Sequence, residues 1–142
     1  MHPFPHHYNV NASIRPDGDV PLSTDGVRII ESAAPREFDG PGNQWSPEGL
    51  LTAAVADCFV LTFRSIAKAS KYAWHSLEVR TEGTLDRVDG TLRFTRFATH
   101  ARLQMLPGAD AARGKMLLEK AESSCLVANS LTAERHLTTE VV

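Results

Sequence analysis

The residues best suited to chemistry in this chain are two cysteines, Cys58 and Cys125, which stand 67 positions apart. Their number and spacing fit neither a disulfide scaffold nor the paired CxxC pattern of a zinc site. In a reducing compartment, two such thiols favour a redox role or a packing role over a structural crosslink. A cysteine in an apolar helix is by default an inert core residue, so the sequence around each thiol must decide between the two roles.

The first cysteine lies in SPEGLLTAAVADCFVLTFRSIAK, a segment that predicts one long helix from Ser46 to Lys68. Ser46 is suited to the N-cap because its side-chain oxygen can accept an early backbone N–H. Pro47 is suited to the first helical position, where its missing N–H has no intrahelical partner to lose. We therefore expect Cys58 near the middle of a continuous helix.

Polar residues are few in the central part of this helix. Between Leu50 and Phe63 they are Thr52, Asp57 and Thr62, and they do not recur with a helical period. This pattern predicts a central helix that is buried on most sides. The apolar run is under ~18 residues and carries Asp57 near its middle, which argues against a membrane span.

Short strands are predicted before the helix and a long hairpin after it. Alternating or apolar runs bounded by turn residues indicate strands over 8–14, 20–22 and 27–31, followed by a Pro- and Gly-rich loop over 34–44. After the helix, residues 74–86 and 91–103 alternate on either side of a Val-Asp-Gly turn.

The second strand of the hairpin changes its alternation part-way along, which predicts a β-bulge near Thr95 and Arg96. Asp110 can cap a second helix that runs to about Ser123, and residues 137–141 alternate as a last strand. The order β-β-β-α-β-β-α-β predicts one α+β domain over residues 1–142, with mainly antiparallel sheets around the central helix.

Composition limits the classes of function. The chain has 142 residues, 42% of them hydrophobic and 23% charged, with a net charge of −2. This is typical of a soluble globular protein and provides no basic surface for nucleic acid or an anionic membrane. The first 25 residues contain no apolar signal-peptide core, so we expect a cytoplasmic protein.

Three motifs in order, PREFDGPG, SPEGLLTAAVADCF and CLVANSL, resemble the family of osmotically inducible protein C and organic hydroperoxide resistance protein. The resemblance covers nearly the whole chain. It implies antiparallel sheets wrapped around a long buried helix, in an intertwined homodimer whose active sites lie at the subunit interface.

The resemblance also implies a reaction and a role for each thiol. Cys58 would be the peroxidatic thiol, which attacks the peroxide O–O bond and becomes a sulfenic acid. Cys125 would condense with it to an intramolecular disulfide and release water. A thiol or dithiol reductant would then reset the pair, and no cofactor or metal is implied.

The family uses a glutamate just inside the helix start, which Glu48 matches. Ten residues of helix rise ~15 Å, so Glu48 cannot act on Cys58 of its own continuous helix. Either a partner subunit supplies it or the site forms where two helices cross. A cation is also needed, because a thiol of pKa ~8.5 is only a few per cent ionised at pH 7. The resemblance to the two branches of the family implies Arg15 in RPDG or Arg36 in PREF as this cation, and Arg15 is favoured.

Residue types near the predicted site favour organic hydroperoxides over hydrogen peroxide as substrates. The predicted substrate-binding residues are Arg36, Trp45, Leu51, Val55 and Phe59. Two departures from the family pattern, Leu126 in place of a common proline and Gly49 after Glu48, leave the branch of the family open.

Other interpretations remain. A family member could bind a small apolar ligand with its cysteines retained only for packing, or could act as a sulfenic-acid sensor. A metal site that combines the thiols with His75, His100 and His136 is disfavoured, because these histidines show no ligand spacing.

Overall fold

The computed structural model describes all 142 residues, which form two compact units, Met1–Leu50 and Leu51–Val142. We call them unit 1 and unit 2. One long helix, α1 (Pro47–Ala69), begins in unit 1 and continues through the first part of unit 2. The α+β class that the sequence predicts is confirmed, whereas the prediction of a single domain over 1–142 stays a prediction.

Unit 1 contains a small antiparallel sheet of three strands, in the order β1-β2-β3. The strands are β1 (Asn11–Ala12), β2 (Val20–Ser23) and β3 (Ile30–Ser32), and a 3-10 turn follows at Arg36–Phe38. The first strand is much shorter than the alternation over 8–14 predicts, since only Asn11 and Ala12 pair with β2. The apolar members of that alternation, Tyr8, Val10 and Ile14, are exposed.

The helix α1 begins as the sequence predicts. The backbone N–H of Gly49 donates to Ser46 Oγ at 3.0 Å, which makes Ser46 the capping residue. Burial is narrower than predicted, because only one stripe of the helix, Val55, Phe59, Phe63 and Ala67, is fully buried. These residues recur every four positions and therefore share one face, whereas Leu61 on another face is 45% exposed.

The length of α1 requires a correction to the argument about membranes. The prediction from sequence considered only the apolar run of under ~18 residues. The whole helix has 23 residues and, by length and composition alone, could cross a bilayer. A core helix of a soluble protein meets the same two criteria.

Unit 2 is built on a sheet of three strands in the order β4-β5-β6. β4 (Trp74–Val88) and β5 (Thr91–Met105) form the long antiparallel hairpin, and β6 (Glu134–Val141) runs parallel to β5. Between β5 and β6 lie α2 (Ala111–Ser124) and the short α3 (Leu126–Asn129).

One face of this sheet, α1 and α2 enclose the main core of unit 2. Asp110 caps α2, as predicted, by accepting a hydrogen bond from the backbone N–H of Arg113 at 3.1 Å. The buried side chains of this core come from all three elements and are Phe59, Phe63, Ala67, Ala101, Leu103, Leu117, Leu118 and Ala121, with Tyr72 beside them.

The predicted β-bulge is confirmed. Thr84 pairs with Arg96 and Leu85 pairs with Phe94, which leaves Thr95 as the extra residue in β5. The extra residue brings Phe94 and Phe97 to the same face, where their rings stack with centroids 5.0 Å apart. Opposite Phe97 stands Gly83, and a Cβ at that position would lie only 2.8 Å from the Phe97 ring.

Candidate active site

Cys58 lies in the middle of α1, on a different side of the helix from the fully buried stripe. Its thiol is half-buried. The sulfur lies 3.9 Å from the hydroxyl of Thr62, one helical turn further along. The residue is therefore partly accessible at the surface of unit 2.

Cys125 lies where α2 ends and α3 begins, and its extended backbone (φ −67°, ψ 102°) makes the break between the two helices. Two backbone hydrogen bonds hold it there. The N–H of Cys125 donates to the carbonyl of Glu122 at 3.3 Å, and the N–H of Asn129 donates to the carbonyl of Cys125 at 2.9 Å. Its side chain has no exposed surface.

The structure brings the two cysteines together. Cys58 and Cys125 pack in one apolar cluster, and Cys58 lies near enough to raise the pKa of the Cys125 thiol. The buried members of this cluster, which we call the cysteine cluster, are Val55, Phe97, Cys125, Ala128 and Ala133. Residues 67 positions apart therefore meet because α1 and the α2–α3 break pack on the same part of unit 2.

The surroundings of Cys125 keep its thiol protonated. Burial is the main cause, and it raises the pKa of Cys125 from 9.0 to about 11. A hydrogen bond from the backbone of Ala128 lowers the pKa, whereas the neighbouring Cys58 and the carboxylate of Glu122 raise it further. At neutral pH Cys125 is therefore a thiol.

An open groove of about 540 Å³ borders Cys58. Its wall is mostly apolar and comes from two elements of unit 2, α1 and the α2–α3 region: Ala54, Leu61, Ile66, Leu126 and Val127. Asp57 and Lys120 are the carboxylate and the amine of this groove. The groove can therefore hold a mainly apolar molecule in contact with the Cys58 sulfur.

The predicted substrate-binding residues of unit 2 do not form this wall. Val55 and Phe59 are 3% and 0% exposed, so they contribute to the core. Leu51 is half-buried against the cysteine cluster. The helical period could have predicted part of the wall. Ala54 and Leu61 stand four residues before and three residues after Cys58 and therefore share its face.

The other predicted residues belong to unit 1. Arg15 is exposed in the loop between β1 and β2, and Arg36 lies in the 3-10 turn with its side chain packed directly over Gly42. Trp45 is 53% exposed, and its carbonyl accepts a hydrogen bond from Ala33. Glu48 is half-buried in the first turn of α1. The roles predicted for these four residues stay predictions.

Two of the three histidines considered for a metal site, His100 and His136, lie beside carboxylates. His136 Nε2 lies 2.7 Å from Glu134 Oε1, and His100 Nε2 lies 4.0 Å from Glu140 Oε2. No group of three His, Cys, Asp or Glu side chains is arranged to hold a metal ion.

The fold and the site together define an α+β protein that has two adjacent thiols beside an apolar groove. The profile of the OsmC-like protein family matches residues 40–140. The chain therefore belongs to the OsmC-like family, as its sequence motifs indicate.

Relatives extend this assignment. The chain is 26% identical over 139 residues to the uncharacterized protein YmaD of Bacillus subtilis, a match that covers 95% of this chain and 93% of that protein. It is 29% identical over 89 residues to peroxiredoxin OsmC of Escherichia coli, covering 63% and 62% of the two chains. An organic hydroperoxide resistance protein OsmC of Legionella pneumophila has a similar structure, with a TM-score of 0.74, 26% identity and coverage of 96% and 98%.

Proposed function

We propose that this protein is a thiol-dependent peroxidase that reduces organic hydroperoxides, with Cys58 as the attacking thiol and Cys125 as the resolving thiol. The observation that carries the proposal is the packing of these two cysteines in one cluster beside the groove. The activities named for relatives in Escherichia coli and Legionella pneumophila support the same class of reaction.

The reaction has two chemical steps. In the first, the Cys58 thiolate attacks the distal oxygen of the hydroperoxide, the O–O bond breaks, and the alkoxide leaves and takes a proton to become an alcohol. In the second, the Cys125 sulfur attacks the Cys58 sulfenic acid and forms the disulfide. The hydroxyl leaves with the proton from Cys125 as water.

The protonated state of Cys125 suits this division of roles. The raised pKa of Cys125 keeps it protonated, so it can donate a hydrogen bond to a Cys58 thiolate and does not compete for the peroxide. Cys58 is the accessible member of the pair, whereas Cys125 has no exposed surface. A peroxide in the groove therefore meets Cys58 first.

The test is to treat the reduced protein with one equivalent of cumene hydroperoxide and to count free thiols. We expect two thiols to be lost and an intramolecular disulfide to form. Its mass should be that of a single chain minus two hydrogen atoms. Cys58→Ser should lose none. Cys125→Ser should stop at a sulfenic acid that dimedone traps. Unchanged thiols in the wild type would contradict the peroxidase and favour an apolar ligand-binding protein.

The apolar groove supports an organic substrate. Leu61 and Val127 would contact the alkyl or aryl group of a hydroperoxide, while hydrogen peroxide would gain nothing from them. We expect a larger kcat/KM for cumene hydroperoxide than for hydrogen peroxide, and Leu61→Asn should lower the first value more than the second. Equal effects on both substrates would contradict an apolar substrate site.

We further propose that the protein acts as a cytoplasmic homodimer, in which the partner chain supplies Glu48 and an arginine to Cys58. The continuous α1 supports this, since ten helical residues separate Glu48 from Cys58 by ~15 Å. Glu48 would hold Arg15 or Arg36 by a bidentate ion pair, and the arginine would stabilise the Cys58 thiolate.

A further inference from the structure

The second residue of strand β6 is an arginine, Arg135, whose side chain reaches back to the helix break at Cys125. Its side chain is 24% exposed and makes three hydrogen bonds. Nε donates to Glu122 Oε1 at 2.8 Å, Nη1 donates to Asn129 Oδ1 at 2.7 Å, and Nη2 donates to the carbonyl of Glu122. The guanidinium thus joins the end of α2 to the end of α3.

The two residues that Arg135 contacts are the same two that hold the backbone of Cys125. Glu122 accepts the Cys125 N–H through the carbonyl that also accepts from Arg135. Asn129 donates its N–H to the Cys125 carbonyl while its side chain accepts from Arg135. Every backbone hydrogen bond of Cys125 therefore ends on a residue that the guanidinium fixes in place.

The charge of Arg135 also suits its position. The last turn of α2 contains no basic residue of its own, so the guanidinium supplies the positive charge that a helix C-terminus favours. It also pairs with the Glu122 carboxylate, which would otherwise act on the Cys125 thiol through its full negative charge.

We propose that Arg135 is a positioning residue for the second chemical step: by clamping the α2–α3 break, it holds the Cys125 sulfur against Cys58. The proposal rests on the function proposed above for the peroxide reaction, but its geometric part does not. Disulfide formation requires the two sulfurs to approach to about 2.05 Å in a restricted dihedral range. A break that swings freely between two helices would spend little time in that geometry.

The experiment compares Arg135→Ala with a matched control, Arg113→Ala. Arg113 is also a surface arginine of unit 2 that donates to a backbone carbonyl near a helix end, that of Ser70, and it lies over the Tyr72 ring instead of the cysteine cluster. Reduced proteins are mixed rapidly with one equivalent of cumene hydroperoxide and quenched. Intact mass then separates sulfenic acid, trapped with dimedone, from disulfide.

We expect the sulfenic acid to form at a rate within about twofold of wild type in both variants, because Arg135 does not touch Cys58. Disulfide formation should slow by about tenfold or more in Arg135→Ala and stay unchanged in Arg113→Ala. Arg135→Lys keeps the charge but loses the fork of donors, so it should restore the step only in part. An equal ratio of sulfenic acid to disulfide in wild type and Arg135→Ala would overturn the proposal.

A second measurement needs no peroxide. The equilibrium between the dithiol and the disulfide is measured in a buffer of reduced and oxidised dithiothreitol. Arg135→Ala should lower the equilibrium constant for disulfide formation by about tenfold, which corresponds to about 30 mV. If the wild type fails to react with hydroperoxides and this shift is still found, the peroxidase is wrong and the positioning role stands. An unchanged equilibrium in Arg135→Ala would overturn the positioning role.

Should Arg135→Ala fail to fold, Asn129→Ala removes only one of the three hydrogen bonds. It should slow disulfide formation in the same assay and leave the formation of sulfenic acid unchanged. A wild-type rate of disulfide formation in Asn129→Ala would count against the clamp.

Discussion

Cys125 has no exposed surface, yet it packs in the same apolar cluster as Cys58, which is partly accessible from the groove. The two residues differ in exposure because one sits on the outer side of α1 and the other closes the break between α2 and α3. In this pair, Cys58 is accessible to a small molecule and Cys125 is buried behind it. The burial of Cys125 also has a measurable consequence for stability.

The stability of the reduced protein should fall between pH 9 and pH 11 because of Cys125. Burial raises the pKa of this thiol from 9.0 to about 11 in the folded chain. Above pH 9 the unfolded chain releases this proton while the folded chain retains it, so the unfolded state gains stability. At 1.36 kcal/mol for each pKa unit, the free energy of unfolding should drop by about 2–3 kcal/mol over this range.

The measurement is urea unfolding of the wild type and Cys125→Ala under a reductant, at several pH values from 8 to 11. Other groups titrate in both proteins, so only the difference between them reports on Cys125. The difference in free energy of unfolding should shrink as the pH rises. A difference that stays constant from pH 8 to pH 11 would show that burial does not hold the proton on Cys125.

Oxidation of the pair should make the protein more stable. A disulfide between Cys58 and Cys125 would close a loop of 67 residues, and the loss of entropy in the unfolded chain is worth up to about 4 kcal/mol. The thermal midpoint of the oxidised wild type should therefore exceed that of the reduced protein by roughly 10 °C. Cys125→Ser, treated with the same oxidant, should show no rise, and a lower midpoint for the oxidised wild type would indicate a strained disulfide.

Much of the fold follows from local sequence patterns. The Ser46 cap, the long hairpin and the extra residue at Thr95 are each encoded within a few neighbouring residues, and the structure confirms all three. The prediction of a strand over 8–14 is mostly wrong. Its apolar side chains alternate, but only two of its residues, Asn11 and Ala12, pair with β2. Alternation predicts a strand only where a partner strand is available along its length.

The site is harder to predict because it depends on contacts between distant parts of the chain. No local pattern states that β6 pairs in parallel with β5, and it is this pairing that carries Arg135 to the end of α2. The family motifs select both cysteines, but the groove wall around Leu61 and Leu126 follows only once the face of α1 and the helix break at Cys125 are known. Phe59 follows Cys58 directly in the sequence but is fully buried in the core. Residues on the same helix face as Cys58 are three or four positions away from it.

Side chains of β5 and α1 lie close to Gly83 and should make a side chain costly at that position. A Cβ would lie 2.8 Å from both Phe97 Cε1 and Thr52 Oγ1 and 2.9 Å from Phe94 Cε1. Gly83→Ala should therefore lower the free energy of unfolding by about 1–3 kcal/mol, because the stacked rings must move. Since Phe97 packs in the cysteine cluster, disulfide formation should also slow.

Glu82→Ala is the matched control, because Glu82 is the neighbour of Gly83 on the exposed face of β4. Its free energy of unfolding should stay within about 0.5 kcal/mol of wild type. Urea unfolding measures both variants. A Gly83→Ala protein as stable as Glu82→Ala would mean that the rings of Phe94 and Phe97 relax at no cost.

The proposal that Glu48 acts on the Cys58 of a partner chain predicts that two inactive variants restore each other. Glu48→Gln and Cys58→Ser should each be nearly inactive as homodimers. In a hybrid dimer, the intact Cys58 of one chain would meet the intact Glu48 of the other. After unfolding and refolding of an equimolar mixture, half of the dimers are hybrids with one complete site each, so about a quarter of the wild-type activity should return.

The control mixes Cys58→Ser with Cys125→Ser. Because both thiols of a site belong to one chain, no activity should return. Activity that fails to return in the first mixture, in a protein that sedimentation shows to be dimeric, would place Glu48 outside the neighbouring site.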